Sequence, residues 1–124
     1  MISVCKMFEF EAAHHLPGYK GACRNIHGHS YKLEVEVEGI MDGVSGMLMD
    51  FSELKSIVKK NIIDRVDHSD LNVSLLLSKT QSPTAEVMLL VFVGWINRDL
   101  PKGIVLRRIR LWETSSSWAE WRRK

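Results

Sequence analysis

The first third of the chain alternates. Between Ile2 and Ala13, Phe8, Phe10 and Ala12 take turns with Glu9, Glu11 and Ala13, the period-two pattern of a half-buried strand. Leu16 to Asn25 breaks the pattern with Pro17, Gly18 and Gly21 and is read as a loop. Ser30 to Gly39 alternates again. Tyr31, Leu33, Val35 and Val37 form one side, and Lys32, Glu34, Glu36 and Glu38 the other. One dry face and one wet face suit an antiparallel sheet. Met41-Asp42-Gly43 carries a hairpin signal, with Gly46 to Met49 as the returning strand.

The period then changes. Phe51, Leu54, Ile57, Val58 and Ile62 share a helical face. Asp50 is placed as its N-cap and Glu53 completes a capping-box spacing; the helix is expected to end near Arg65. Val66 to Asn72 reads as a polar connection, and Val73 to Gln81 as a short leucine run running into a loop. Ser82-Pro83 predicts the start of a second helix, with serine as cap and proline at the first helical position. Val87, Leu90, Val91 and Trp95 would form its packing face, and Asp99 to Gly103 would end it. Ile104 to Glu113 reads as the last strand, with Val105, Ile109, Leu111 and Glu113 on one side and Arg107 as the exception. A short tail with Trp118 and Trp121 follows. Strands come first, two helices follow and one strand closes the order, so the expected class is α+β with an antiparallel sheet.

A length of 124 residues fits one domain, 1–124, and 45% apolar content can supply its core. The formal charge of +2 gives no ground for nucleic-acid binding. Arg107, Arg108, Arg110, Arg122, Arg123 and Lys124 crowd the C-terminal end, a pattern first read as a solvated face and second as an anion-binding one. Two cysteines suggest no disulfide framework and point to a reducing, cytoplasmic setting. No signal peptide is expected, and the longest apolar stretch, Val87 to Ile96, is too short to cross a membrane. Cys5 is expected to be a packed, inert thiol.

The chemistry concentrates between His14 and His29, which hold four of the 5 histidines. In an extended step, His27 and His29 point to one side, and Gly28 lets another backbone approach. A third imidazole at His14 or His15 completes a three-nitrogen set, the pattern of a catalytic zinc with one open position. Strand parity puts His14, not His15, on the Phe8–Phe10 side. Cys23 precedes the pair and could serve as base or nucleophile. Asp67-His68 joins a neutral-range acid–base to a carboxylate; the plainer reading is a capping aspartate beside a solvated histidine. Glu113 continues an apolar parity, so its carboxylate should face inward. There it would pair with an arginine such as Arg107, or grip a planar, guanidine-like heterocycle by two N–H donors. Arg24 and Lys20 are candidate phosphate contacts, or merely solvated loop charges.

Phe10-Glu11-Ala12-Ala13-His14-x-Leu16-Pro17 and Cys23-x-x-x-His27-Gly28-His29-Ser30-Tyr31 resemble the 6-pyruvoyltetrahydropterin synthase family. So do Met49-Asp50-Phe51-x-x-Leu54-Lys55, Asp67-His68-x-x-Leu71-Asn72, Ser82-Pro83-Thr84-x-Glu86-Val87 and Glu113-Thr114, in the family's order. The spacing from Cys23 to His27 resembles the branch that forms 6-carboxytetrahydropterin in queuosine synthesis. The resemblance implies a tunnelling fold (T-fold): a four-stranded antiparallel sheet with two helices on one face. It also implies trimeric barrels stacked into a homohexamer, with active sites between subunits. It implies Zn2+ on His14, His27 and His29 and a substrate, 7,8-dihydroneopterin triphosphate. Cys23 would be the base, Asp67 and His68 its proton-transfer partners, and Glu113 the pterin anchor with Thr114 beside it. Arg24 would be a substrate contact. Two departures stand out: His15 replaces an expected arginine, and Arg24-Asn25 replaces an expected Gly-Arg. Three rivals remain: the pyruvoyl-forming reaction, a non-catalytic zinc- or pterin-binding oligomer, and a zinc hydrolase. The last lacks the helical glutamate such sites use as base.

Overall fold

The two alternating stretches pair with each other along their whole length. β1 (Ile2–His14) and β2 (His27–Gly39) are antiparallel, with Ile2 opposite Gly39 and His14 opposite His27. The structure is a computed structural model and describes residues 1–124. Phe10 sits opposite Tyr31, and their stacked rings lie 4.9 Å apart. Leu33, Val35 and Val37 are wholly buried on the same face, each contributing roughly 1.5–3 kcal/mol of burial.

α1 (Phe51–Val58) covers that face. Asp50 caps it by accepting from the Ser52 N–H at 2.8 Å. The helix runs on through a π-helical segment, Lys59–Ile63, and a last turn, α2 (Asp64–Val66). Asn61 in the wide turn is buried; its amide donates to the Ile57 carbonyl and to Asp99 Oδ2. β3 (Ser69–Asp70), the single turn α3 (Leu71–Ser74), α4 (Ala85–Ile96), β4 (Val105–Thr114) and β5 (Ser117–Arg122) complete the order. The strands form one sheet in the order β3-β1-β2-β4-β5. Leu54, Val58, Ile62, Met88, Leu89, Phe92, Leu106, Ile109 and Leu111 fill the layer between helices and sheet.

The architecture is the expected α+β T-fold, with differences that have local causes. The sheet has five strands and is mixed, because the two-residue β3 runs parallel to β1 at Ala12 and Ala13. The tryptophan-bearing tail is the fifth strand, pairing antiparallel with β4. Gly46 to Met49 is not a strand. β2 already has β1 and β4 as neighbours. The segment instead folds on Asp42, whose carboxylate accepts from the Val44 and Ser45 N–H groups while its own N–H donates to Met47.

α4 starts two residues later than Ser82-Pro83 suggests. Thr84 is the N-cap, its Oγ1 accepting from Val87 at 3.2 Å. The buried side of α4 is Ala85, Met88, Leu89, Phe92, Trp95 and Ile96, while Leu90 is exposed. The helix is apolar nearly all round, so its period carries little signal. In β4, Glu36 faces Arg108 and Val37 faces Leu106, leaving Arg107 as an extra residue. That bulge turns Leu106 inward in place of Val105 and explains why Arg107 breaks the parity. Cys5 is exposed, not packed, because its strand position faces away from the helices.

Candidate metal and pterin site

The core face of the sheet ends in histidine. His14 closes β1, His27 opens β2 opposite it, and His29 lies opposite Ala12. Parity puts all three rings on the Phe10–Tyr31 side. Their centroids are 4.6 Å apart for His14 and His27, 5.1 Å for His14 and His29, and 5.0 Å for His27 and His29.

Backbone carbonyls fix which nitrogen two of the rings present. His14 Nδ1 lies 2.9 Å from the Pro83 carbonyl, and His27 Nδ1 lies 2.8 Å from the Asn25 carbonyl. A carbonyl only accepts, so Nδ1 carries the proton and Nε2 keeps a bare lone pair. Burial, opposed by Glu113 and reinforced by the other two imidazoles, holds His29 below the ordinary imidazole pKa. That direction favours the neutral form a ligand needs. Glu113 enters from β4. Its Oε1 is 2.8 Å from His29 Nε2 and 3.5 Å from His14 Nε2. Neither approach makes a hydrogen bond: both Nε2 atoms are buried without a partner.

Buried polar atoms left unpaired are destabilising by roughly 1–3 kcal/mol each. Here they converge, with one ligand atom from each of His14, His27, His29 and Glu113 lying within 4.8 Å of the others. Donors around a tetrahedral zinc stand about 3.3 Å apart. Three imidazoles and a carboxylate are a suitable set for a divalent metal, and the unpaired lone pairs supply the physical reason one should bind.

His15 is excluded from the cluster. Asn72 grips its backbone at both ends, Oδ1 accepting from the His15 N–H and Nδ2 donating to the His15 carbonyl, each at 3.0 Å. Strand parity places His14, not His15, on the buried face among the converging donors. Glu113 faces inward as expected but does not pair with Arg107, which lies 3.6 Å from Glu38 instead. Glu113 also lines a 410 Å³ cavity with Ala85, Glu86 and Trp118.

Asp67 and His68 form a pair of their own. Asp67 Oδ1 accepts from the Glu11 N–H at 3.0 Å and lies 3.0 Å from His68 Nδ1. The Glu11 N–H, aided by His68 and opposed by slight desolvation, holds the Asp67 carboxyl below the usual range. His68 has φ 58, uncommon for a residue with a Cβ, and its N–H donates to the Glu11 carbonyl at 2.6 Å. The imidazole is exposed and borders a 520 Å³ cleft with Glu11, His29, Ser30 and Ser69. Within one chain, no hydrogen bond or ion pair joins this pair to the histidine cluster.

Cys23 sits half-buried in a 3-10 turn, Ala22–Arg24, whose carbonyl from Cys23 accepts the Leu16 N–H at 2.7 Å. Its thiol is not among the converging donors. Arg24 is exposed and makes no ion pair, and Thr114 is exposed with its hydroxyl accepting from Ser116 at 3.3 Å. Two features escaped the sequence reading. The Pro83 and Asn25 carbonyls that orient the rings have no side-chain signature. Glu113 joins the metal-donor set, which its inward parity could have suggested.

The sequence profile described as 6-pyruvoyl tetrahydropterin synthase matches residues 3–124. The chain is 37% identical to the 6-carboxy-5,6,7,8-tetrahydropterin synthase of Haemophilus influenzae over 98% of its own length and 99% of the relative's. It is 39% identical to a putative 6-carboxy-5,6,7,8-tetrahydropterin synthase of Archaeoglobus fulgidus, covering 92% and 90% of the two chains. Its structure is similar to that of the Caenorhabditis elegans 6-pyruvoyl tetrahydropterin synthase, with a TM-score of 0.86 at 26% identity, covering 99% and 96%. A nearly full-length profile match, close relatives and a shared fold agree: this chain belongs to the 6-pyruvoyl tetrahydropterin synthase family and is a pterin synthase.

Proposed function

We propose that this protein is a zinc-dependent 6-carboxy-5,6,7,8-tetrahydropterin synthase. It converts 7,8-dihydroneopterin triphosphate and one water to 6-carboxytetrahydropterin, acetaldehyde and triphosphate, in the cytoplasm, on the route to queuosine. The observation that carries the reading is the convergence of His14, His27 and His29, with the Nδ1 atoms of His14 and His27 tied back to carbonyls and the Nε2 atoms of His14 and His29 buried without a partner. The relatives named for this reaction and the three-residue spacing from Cys23 to His27 support the choice of product.

Zinc held by His14, His27 and His29 would supply Lewis acidity to the oxygens of the substrate side chain. Glu113 accepts two N–H donors from the pterin ring, as a carboxylate does from a guanidinium, with Thr114 beside it. Cys23, as thiolate, takes a proton from the side-chain carbon. Asp67 holds His68 at Nδ1, leaving Nε2 to return or relay protons. Arg24 meets the triphosphate, which leaves by elimination before the side chain is cleaved. No hydrogen bond or ion pair joins the Asp67–His68 pair to the histidines, although His68 and His29 line the same 520 Å³ cleft. Membership of the family supports a homohexamer of two stacked trimers with sites between subunits.

The test is one incubation of metal-replete protein with 7,8-dihydroneopterin triphosphate, assaying acetaldehyde and the pterin product together, with Cys23→Ala as control. Acetaldehyde with a 6-carboxy pterin, both lost in the variant, is the expected result. The likeness to the C. elegans enzyme favours one second reading, formation of 6-pyruvoyltetrahydropterin. A pyruvoyl product without acetaldehyde would establish it instead. Zinc bound without any turnover would leave a pterin- or zinc-binding oligomer.

A further inference from the structure

Three of the four converging donors are held in place, and one is not. His14 is anchored through Nδ1 to Pro83 and is 1% exposed; His27 is anchored through Nδ1 to Asn25. His29 is carried on β2 with its ring 5.5 Å from that of Tyr31. Glu113 makes no hydrogen bond, is 31% exposed, and stands at the wall of the 410 Å³ cavity. Yet its Oε1 already lies 2.8 Å and 3.5 Å from the two unpaired Nε2 atoms.

A zinc with four protein ligands is closed, and a catalytic one needs an open position. The anchored histidines are poorly placed to leave, whereas Glu113 has free space beside it. We infer that Glu113 is the fourth metal ligand of the pterin-free protein and that binding of a pterin in the adjoining cavity draws its carboxylate off the metal, opening the coordination position only when substrate is present. The driving force is exchange of partners. The carboxylate trades one coordination bond for two N–H donors of the heterocycle, which are directional and charge-assisted. No proton or electron is consumed. The device would keep adventitious anions off the metal until the substrate arrives. The inference rests on the metal reading above.

The test loads metal-free protein with Co(II), whose visible bands report its donor set, and uses azide as a probe of an open position. Wild type without pterin should give a four-coordinate spectrum that azide perturbs only at high concentration. E113Q and E113A should give a different spectrum, bind azide at about tenfold lower concentration, and hold zinc about tenfold more weakly in chelator competition. Neopterin, which carries no triphosphate to lose, should convert the wild-type spectrum and azide response to those of the variants. Because that last measurement uses the unmodified chain, it stands even if a variant folds poorly. Identical spectra and azide midpoints in wild type and both variants, with no response of wild type to neopterin, would overturn the inference and leave the three-histidine site intact. Failure of wild type to bind Co(II), or equal binding by His27→Ala, would overturn the metal reading itself.

Discussion

β2 and β4 carry two polar clusters, one on each face of the sheet. On the open face, Arg108 lies 2.9 Å from Glu36 and 3.2 Å and 3.3 Å from Glu34 and Glu120. Glu120 in turn engages Arg110 at 2.8 Å and also Arg122. Charge is matched across this network. On the core face, three imidazoles and Glu113 stand as close together, but the Nε2 atoms of His14 and His29 meet no partner. The first arrangement is complete as it is and reads as structure. The second leaves buried nitrogens unpaired and could hold a cation. What marks the functional cluster is therefore not polarity or burial but unspent bonding capacity aimed at one point.

The contrast is sharpest in turnover. His27→Ala should lower product formation by more than about 10³-fold, since Lewis-acid stabilisation is worth several kcal/mol. Arg108→Ala should stay within a few-fold of wild type in the same assay. Comparable losses in both would break the distinction.

Stability should reverse the order. Arg108→Ala leaves Glu34, Glu36 and Glu120 facing one another and should cost about 2 kcal/mol in urea unfolding, between the limits for exposed and buried pairs. His27→Ala in metal-free protein gives up one bond to a carbonyl and should cost under about 1 kcal/mol. Thr84→Ala comes next. Loss of the α4 cap should cost about 1 kcal/mol and, by loosening the Pro83 carbonyl that orients His14, should weaken metal binding less than His27→Ala does.

The smallest effect is on pH dependence, where the clusters should occupy separate windows. Hydrogen bonding to Arg108, against some desolvation, holds Glu36 below its ordinary value of 4.5. The stability it contributes is present above that value and lost as pH falls through the lower folded one. Burial likewise holds His29 below 6.5, so metal-free protein should weaken as pH falls below 6.5 and before the Glu36 window opens. Urea midpoints against pH should show two steps. Arg108→Ala should remove only the more acid one, and bound metal should suppress the other.

The strands and their faces were readable because period two survives wherever one side is wet; Tyr31, Leu33, Val35 and Val37 are buried as the pattern requires. The same parity puts His14, not His15, on the inner face, where it stands with His27, His29 and Glu113. What failed has a different origin. The apolar surround of α4 hides its face, the extra residue at Arg107 shifts a parity midway along β4, and β5 looks like a tail because Ser115 to Ser117 reads as an ending when Ser115 and Ser116 are a turn and Ser117 opens the strand. The site's donors were visible as residue types. Their anchors, the Pro83 and Asn25 carbonyls, belong to the backbone, and no side chain announces them.

The most direct test of the account is a zinc titration of metal-free protein, read by chelator competition, in wild type, His27→Ala and Arg108→Ala. The account predicts one tightly held zinc per chain in wild type and Arg108→Ala, and its loss in His27→Ala. No tight binding in wild type, or binding that His27→Ala leaves unchanged, would contradict it.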